Sequence, residues 1–412
     1  MCIYYRALRK YLKNEFYKVN MSPLMKVYNP YKVNFVHGEG VYLYDDTGKR
    51  YIDCVSGIAV NAFGHNHPVM VKAVTEQLNK IWHVSNLYVT DPQINFAQNL
   101  CDHTFAECVF IGNSGAEAIE AALKTARSYF FAKGQPQKTR IISFSGAFHG
   151  RTHLCMTASG MTHEKGLGHI PDDFDIVPFG DHDALKAAIT DKTAAILIEP
   201  IQGESGIRVV PHKCLEGLRS LCDTYGILLI FDEIQCGAGR TGKLFAYQHT
   251  NITPDIMAIA KGIGGGFPVG ACLSTQEAAI GMVAGTHGST YGGNPLASVA
   301  GNTALCLLLE EGFLPRVCDM GSYLLQALNN LKETFPNLIT QVKGKGLLIG
   351  VALSESVNIQ HLISNCLEAG LSIAPAAHNT IRFLPPLIIT QSEIDEAIDI
   401  FQNQLLKVQI KS

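Results

Sequence analysis

Charge is scarce in this 412-residue chain: 17% of residues are Asp, Glu, Lys or Arg, and the net charge is −3. Nothing electrostatic therefore draws the protein to nucleic acid or to an anionic membrane, and small molecules are the expected partners. Metal-ligand spacing is absent too. None of the twelve cysteines forms a CxxC pair, and close ones such as Cys101 and Cys108 fit no zinc pattern. No metal is expected, and scattered reduced thiols suit a cytoplasmic protein. Long apolar runs are missing as well. The longest stretch without a formal charge, 278–309, is broken by "THGSTYGGNP", so no segment reads as transmembrane. The first twenty residues, "MCIYYRALRKYLKNEFYKVN", are basic and aromatic and lack the apolar core of a secretory signal. They read as an N-terminal extension: an exposed helix, a targeting peptide, or a start-site artefact with Met21 as the true beginning.

What is present is a chain 47% hydrophobic, enough for two core-bearing domains. "RIISFSG", "AAILIEP", "ILLIFDE" and "IMAIA" are short apolar runs that alternate with amphipathic stretches such as 116–133 and 215–225. This alternation predicts an α/β fold with a mostly parallel sheet covered by helices on both faces. After Glu310 the pattern becomes helix, strand, helix, strand, helix, with "GLLIGVAL" and "TIRFLPPL" as strands, so 311–412 is expected to form a smaller α+β domain. Residues 71–310 would be the large ligand-binding domain. Residues 21–70, with a hairpin around Asp46-Thr47-Gly48, would join the small one.

Ligands of parallel sheets gather at the carboxyl ends of the strands, and several polar motifs fall there. "NSGAEA" follows "CVFIG" and opens a helix, so Ser114, Gly115 and Ala116 could present N–H groups to a phosphate. "ILLIFDEIQ" ends a strand on Asp232, a carboxylate able to keep a heteroaromatic nitrogen protonated, with Gln235 three residues on. "AFHGRT" offers Phe148 for stacking and Arg151 as a carboxylate clamp. "IEPIQGESG" supplies Glu199 and Glu204, and "TIRFLPP" supplies Arg382, which a glutamate could mask. In "THGSTYGGNP" Thr290 is the candidate hydroxyl donor, with Ser289 beside it as a candidate substrate contact. Taken singly, each has an ordinary structural role: an N-cap at Asn113 or Ser114, core packing for Phe148, a hydrogen-bonded histidine at His149, salt bridges for the acids.

"DIMAIAKGIGGGFPVGA" decides between them. Between Asp255 and Glu310 only Lys261 and Glu277 carry formal charge, so Lys261 is an ammonium in a buried setting. Such a group finds a partner, loses its proton or becomes covalently something else. An isolated lysine, a phosphate cup, a strand-end aspartate and two arginines together call for a phosphorylated, aldehyde-bearing heteroaromatic cofactor. Pyridoxal 5′-phosphate fits.

With these residues the chain resembles the class III aminotransferases, the ornithine and GABA family of fold type I. The blocks "GIAVNAFGHNHP", "WHVSN", "TFAE", "NSGAEA", "AFHGRT", "EPIQGE", "DEIQCGAGRTG", "AKGIGGGFPVGA", "HGSTYGGNP" and "IRFLPPL" carry the likeness from about Tyr28 onward. The resemblance implies a mostly parallel seven-stranded sheet, with Lys261 as the Schiff-base lysine and Asp232 as the partner of the pyridine nitrogen. Gln235 would meet the ring hydroxyl, Phe148 would stack on the ring, and Gly115 and Ala116 would hold the phosphate. It also implies that Thr290 reaches the phosphate of a neighbouring subunit, so a homodimer would share its active sites. Arg151 and Arg382 would bind substrate carboxylates, Glu204 would shield Arg382, and Tyr28 would touch substrate. The expected reaction passes the terminal amino group of an ω-amino donor to 2-oxoglutarate by a ping-pong route. "GIAV" lacks the tyrosine that ornithine-specific relatives place thereabouts, which tilts the donor toward N2-acetylornithine. Ornithine, N-succinylornithine, N-succinyl-diaminopimelate and 4-aminobutyrate remain alternatives, as does an aminomutase or decarboxylase of the same fold. One departure is Cys236, where family members often carry threonine.

Overall fold

Short β-branched runs separated by amphipathic helices give the chain its central layer. The structure is a computed structural model and describes residues 23–161, 168 and 171–411; the extension expected over 1–20 lies outside them. The first elements are the strands β1 (Phe35–Glu39), β2 (Tyr42–Asp45) and β3 (Arg50–Asp53). The central strands are β4 (Cys108–Gly112), β5 (Arg140–Phe144), β6 (Phe174–Val177), β7 (Thr193–Ile198), β10 (Leu228–Asp232), β11 (Ile256–Ile259) and β12 (Gly270–Ser274), and a two-stranded ribbon of β8 (Ile201–Gln202) and β9 (Arg208–Val209) lies outside the sheet. The expected mostly parallel seven-stranded sheet is present in the order β4-β12-β11-β10-β7-β5-β6.

One strand departs from the parallel reading. β12 runs antiparallel to both β11 and β4. Parallel neighbours need a long crossover, usually a helix. The glycine-rich turn after β11 is too short for one, so the chain folds straight back. The helix Gly115–Ala132 covers this part of the sheet with a face of small residues, Ala118, Ala121, Ala122 and Ala126, all fully buried. Their size lets the helix sit close to β11 and β12.

The C-terminal part contains β13 (Ile339–Lys345), β14 (Leu348–Leu353), β15 (Leu371–Ser372), β16 (Ala374–Ala376) and β17 (Thr380–Phe383), flanked by the helices Phe313–Thr334, Ile359–Glu368 and Gln391–Lys411. Two expectations need correction here. β13 was not foreseen because "ITQVKGK" is polar: it is an edge strand with an exposed face. The strand through "TIRFLPPL" ends at Phe383, since Pro385 and Pro386 cannot donate to a ladder. The N-terminal strands attach to this part, where Ile52 and Asp53 pair in parallel with Leu371 and Ser372.

The two parts are bolted together through Arg240, whose guanidinium is buried. Its Nη1 donates to Leu347 O at 3.1 Å and Pro385 O at 2.5 Å, and its carbonyl accepts from Leu347 N at 3.0 Å. Gly346 makes this approach possible. A Cβ there would stand 2.6 Å from Arg240 O, on a backbone with φ of +57°. Gly346→Ala should therefore cost about 2–4 kcal/mol, read as a lowered midpoint in denaturant. Gly217 lies inside the helix His212–Tyr225 with open space where a Cβ would go. Gly217→Ala should instead add up to about 1 kcal/mol in the same assay.

Candidate active site

Five strand ends converge on one cleft. β4, β5, β7, β10 and β11 run in the same direction, so Asn113, Phe148, Glu199, Asp232 and Lys261 follow their carboxyl ends on one edge of the sheet. All five line a cavity of about 330 Å³, together with Ser114, Gly115, Ala116, His149, Glu204 and Gln235.

Lys261 has a left-handed backbone, φ +51°, which costs a non-glycine residue about 1 kcal/mol or more. The turn Lys261–Gly264 holds it there directly after β11. Its amine has no hydrogen bond or ion pair among the described residues. Burial lowers its pKa, while the charges of Glu204 and Asp232 pull the other way. The result is an amine that loses its proton more readily than a surface lysine.

At another wall, the ordinary capping role is present and leaves backbone donors free. Ser114 caps the helix Gly115–Ala132: its Oγ accepts from Glu117 N at 3.3 Å and donates to Glu117 Oε2 at 3.0 Å. The Glu117 carboxylate also accepts from Asn113 N at 2.9 Å and Asn113 Nδ2 at 2.8 Å. Ser289 belongs to this cluster, with its Oγ 3.0 Å from Asn113 Nδ2. Capping leaves the N–H groups of Gly115 and Ala116 without acceptors among the described residues, at the positive end of a helix. A Cβ at 115 would lie 2.8 Å from Ile234 Cδ1, so any larger residue there would have to displace that side chain.

Asp232 is 3% exposed. Its Oδ2 lies 2.8 Å from His149 Nδ1, and its Oδ1 accepts from Ile234 N at 3.0 Å. Burial disfavours charge on His149, but the bond and attraction to Asp232 outweigh it and raise the histidine's pKa. Sequence reasoning left His149 as a structural histidine; its place after the same strand as Phe148 was the available signal. Glu199 was named without a role. Its carboxylate accepts from Phe148 N at 2.7 Å and Gly203 N at 3.2 Å, and burial pushes its pKa up to about 7. It thereby fixes the backbone on which Phe148 stands.

Glu204 and Arg382 meet across the two parts of the chain in a bidentate pair, Oε1–Nη1 2.5 Å and Oε2–Nη2 3.1 Å. Arg382 also donates to Pro375 O at 3.2 Å and 2.9 Å. Gln235 joins them, with its Oε1 3.3 Å from Arg382 Nη1. Cys236 is buried outside the cavity, with Sγ 3.8 Å from Asp232 O, and burial pushes its thiol well above the usual range.

Five expected site residues do not line the cavity: Ser289 and Arg382 touch it only through Asn113 and Glu204, and the other three lie on the surface. Tyr28 is 86% exposed in a stretch without regular structure. Arg151 is exposed, with its guanidinium over the Phe148 ring at 5.2 Å and 3.4 Å from Met161 Sδ, so it stacks on the outer surface and does not enter the cavity. Thr290 is exposed and has no hydrogen bond among the described residues.

This geometry has known counterparts. The family described as "Aminotransferase class-III" matches residues 25–405. The acetylornithine aminotransferase of Agrobacterium fabrum is 50% identical over 385 residues, 92% of this chain and 94% of that protein. Among solved structures, N-acetylornithine aminotransferase from Stenotrophomonas maltophilia is 34% identical with a TM-score of 0.82, over 93% of this chain and 98% of that one. Ornithine aminotransferase from Toxoplasma gondii is 28% identical with a TM-score of 0.92, over 98% of this chain and 99% of that one. A single lysine at the floor of the cleft, a helix end open to a phosphate and a buried aspartate are the parts such enzymes need, and the chain belongs to the class III aminotransferases, which work with pyridoxal 5′-phosphate.

Proposed function

We propose that this aminotransferase moves the terminal amino group of N2-acetylornithine to 2-oxoglutarate, giving a semialdehyde and glutamate. The observation that carries the reading is the Glu204–Arg382 pair, in which Glu204 lines the cavity that also presents Lys261 and Arg382 stands directly behind it. Masked by Glu204, the guanidinium leaves room for a donor held by its amino end; bared, it binds the second carboxylate of a dicarboxylic acceptor. Relatives at about half identity that carry the name acetylornithine aminotransferase support the donor.

The cleft residues suit the cofactor. The unpaired N–H groups of Gly115 and Ala116 would hold the phosphate, Asp232 braced by His149 would keep a proton on the ring nitrogen, and Phe148 would offer its face to the ring. Gln235 would meet the ring hydroxyl. Pyridoxal 5′-phosphate, when bound, supplies an aldehyde for the amino group and a ring that takes up an electron pair from the substrate carbon. Lys261 Nζ, made less basic by its burial, would take the proton from that carbon and return it. Arg382 orients the acceptor, and the apolar walls at Val60, Ile201 and Ile234 keep water out.

We further propose a homodimer that completes the cleft. Trp82, Leu87, Tyr88, Val89 and Tyr291 are all more than 60% exposed. Asn86 ties their two segments together by donating to Ser289 O at 3.0 Å and Gly292 O at 3.1 Å. A patch this apolar suits a second copy, across which Thr290 would reach the phosphate. Free cysteines throughout the described residues support a reducing, cytoplasmic setting.

In a panel of ω-amino donors with 2-oxoglutarate, N2-acetylornithine should give the highest kcat/KM for glutamate formation; a higher value for ornithine or 4-aminobutyrate overturns the donor assignment. Lys261→Ala should lower turnover by on the order of 10⁴-fold. Borohydride should then no longer fix cofactor to the chain by mass; a borohydride-fixed adduct on that variant would refute the role of Lys261. Joint Trp82→Asp and Tyr88→Asp exchanges should shift sedimentation toward the monomer and weaken cofactor binding by roughly tenfold or more.

A further inference from the structure

The ribbon that carries Glu204 is fastened from outside the cavity. β8 and β9 pair through Ile201–Val209 and Gln202–Arg208, so Glu204 stands in the loop between them. That loop lies on the turn between β16 and β17, the strand of Arg382. Glu204 O accepts from Ala377 N at 2.9 Å. Gly206, with φ +77°, lets the two backbones meet: a Cβ there would stand 2.9 Å from Ala377 O and from Thr380 Oγ1. Next to it Ile207 is fully buried and pins the base of the loop.

The second tie is made by side chains. Arg208 Nη2 lies 2.7 Å from His378 Nε2, and its Nη1 reaches Ser145 O at 3.5 Å. Arginine only donates, so the imidazole must be neutral and accept through Nε2. No carboxylate pairs with Arg208 among the described residues. Its other neighbours are the Phe179 ring at 5.5 Å and Lys343, on which it acts as a like charge. His378 itself is held firmly. It and Asn379 have φ of +57° and +48°, and Asn379 Nδ2 donates to Ser354 O at 2.8 Å and Val357 O at 3.1 Å. The turn thus belongs to the rigid C-terminal part, and Arg208 is the movable end of the bond.

We propose that the Arg208–His378 hydrogen bond is a latch that sets how readily Glu204 leaves Arg382, and so divides the cleft between amino donor and dicarboxylate acceptor. The proposal rests on the masking role given above to Glu204. With two ties, one at each side of the loop, the ribbon is held on the strand of Arg382 and the masked state is favoured. Without the side-chain tie, the tip of the loop keeps the Ala377 bond as its one hydrogen bond to the turn, and a dicarboxylate displaces Glu204 at lower concentration. Arg208 and His378 are positioning residues for specificity and touch no reacting atom.

The test uses the holoenzyme with 2-oxoglutarate, N2-acetylornithine and, as an unreactive probe of the acceptor site, glutarate binding by calorimetry. His378→Ala should lower the KM for 2-oxoglutarate and the Kd for glutarate by roughly three- to tenfold, the weight of one such bond. It should raise the KM for the donor and leave kcat within about twofold. His378→Gln, which keeps an acceptor oxygen, should stay within about twofold of the parent in both. Glu204→Gln should move the ratio of the two KM values in the same direction as His378→Ala. An unchanged ratio in Glu204→Gln would remove the masking role and the latch with it. A shifted ratio there with none in His378→Ala would remove the latch alone, as would equal shifts in the alanine and glutamine variants.

Discussion

One desolvated amine organises this molecule. Lys261 stands on a left-handed turn that β-strand geometry does not supply by itself, and the glycines after it let the chain double back into β12. The same turn makes β12 antiparallel and places its first residue beside the helix cap: a Cβ on Gly270 would lie 2.3 Å from Ser114 O. The position of the lysine and the position of the helix end are therefore not independent. A residue larger than glycine at 270 would push that helix end away from Lys261. Backbone strain at 261 is tolerated because buried strands on both sides over-determine it.

Around that amine the charges are balanced with little solvent to help. Asp232, Glu199, Glu204 and His149 line the cavity with Lys261, and Arg382 stands behind Glu204. Each buried acid has its own donors: Asp232 has His149 and Ile234 N, Glu199 has Phe148 N and Gly203 N. Neither depends on Lys261 for neutralisation. An ammonium locked in a salt bridge would be a poor base, so the lack of a partner for Lys261 among the described residues suits the base role proposed for it.

Much of this was legible in the chain because it rests on local pattern. The charge-poor stretch around Lys261, the strand-end place of Asp232 and the capping sequence at 113–118 are all short-range signals, and so are the strands themselves. What escaped is long-range or unpatterned. The His149–Asp232 bond spans 83 residues, so local pattern offered the members without their partnership, whereas the Glu204–Arg382 pair, 178 residues apart, was expected only through the resemblance to the family. β13 hid behind its lysines, and the antiparallel run of β12 follows from turn length, which hydrophobic pattern does not encode. Tyr28 was chosen by likeness to a family, and Arg151 and Thr290 from short polar motifs before that likeness gave them roles. Within one copy no packing draws any of them inward, so all three stay on the surface.

The two members of the proposed masking pair differ in burial. The side chain of Arg382 is 4% exposed and is held by two bonds to Pro375 O, whereas that of Glu204 is 35% exposed. Withdrawing the guanidinium would strand a buried cation and leave a carbonyl unsatisfied, a cost of several kcal/mol. Turning the carboxylate outward exchanges one partly hydrated environment for another and costs far less. In the proposed exchange, an incoming acceptor carboxylate would replace Glu204 charge for charge on the guanidinium fork. On this reading the asymmetry in burial would make the glutamate the moving part, and would make the ribbon that carries it, and not the strand that carries the arginine, the place where control over the two substrates can be built.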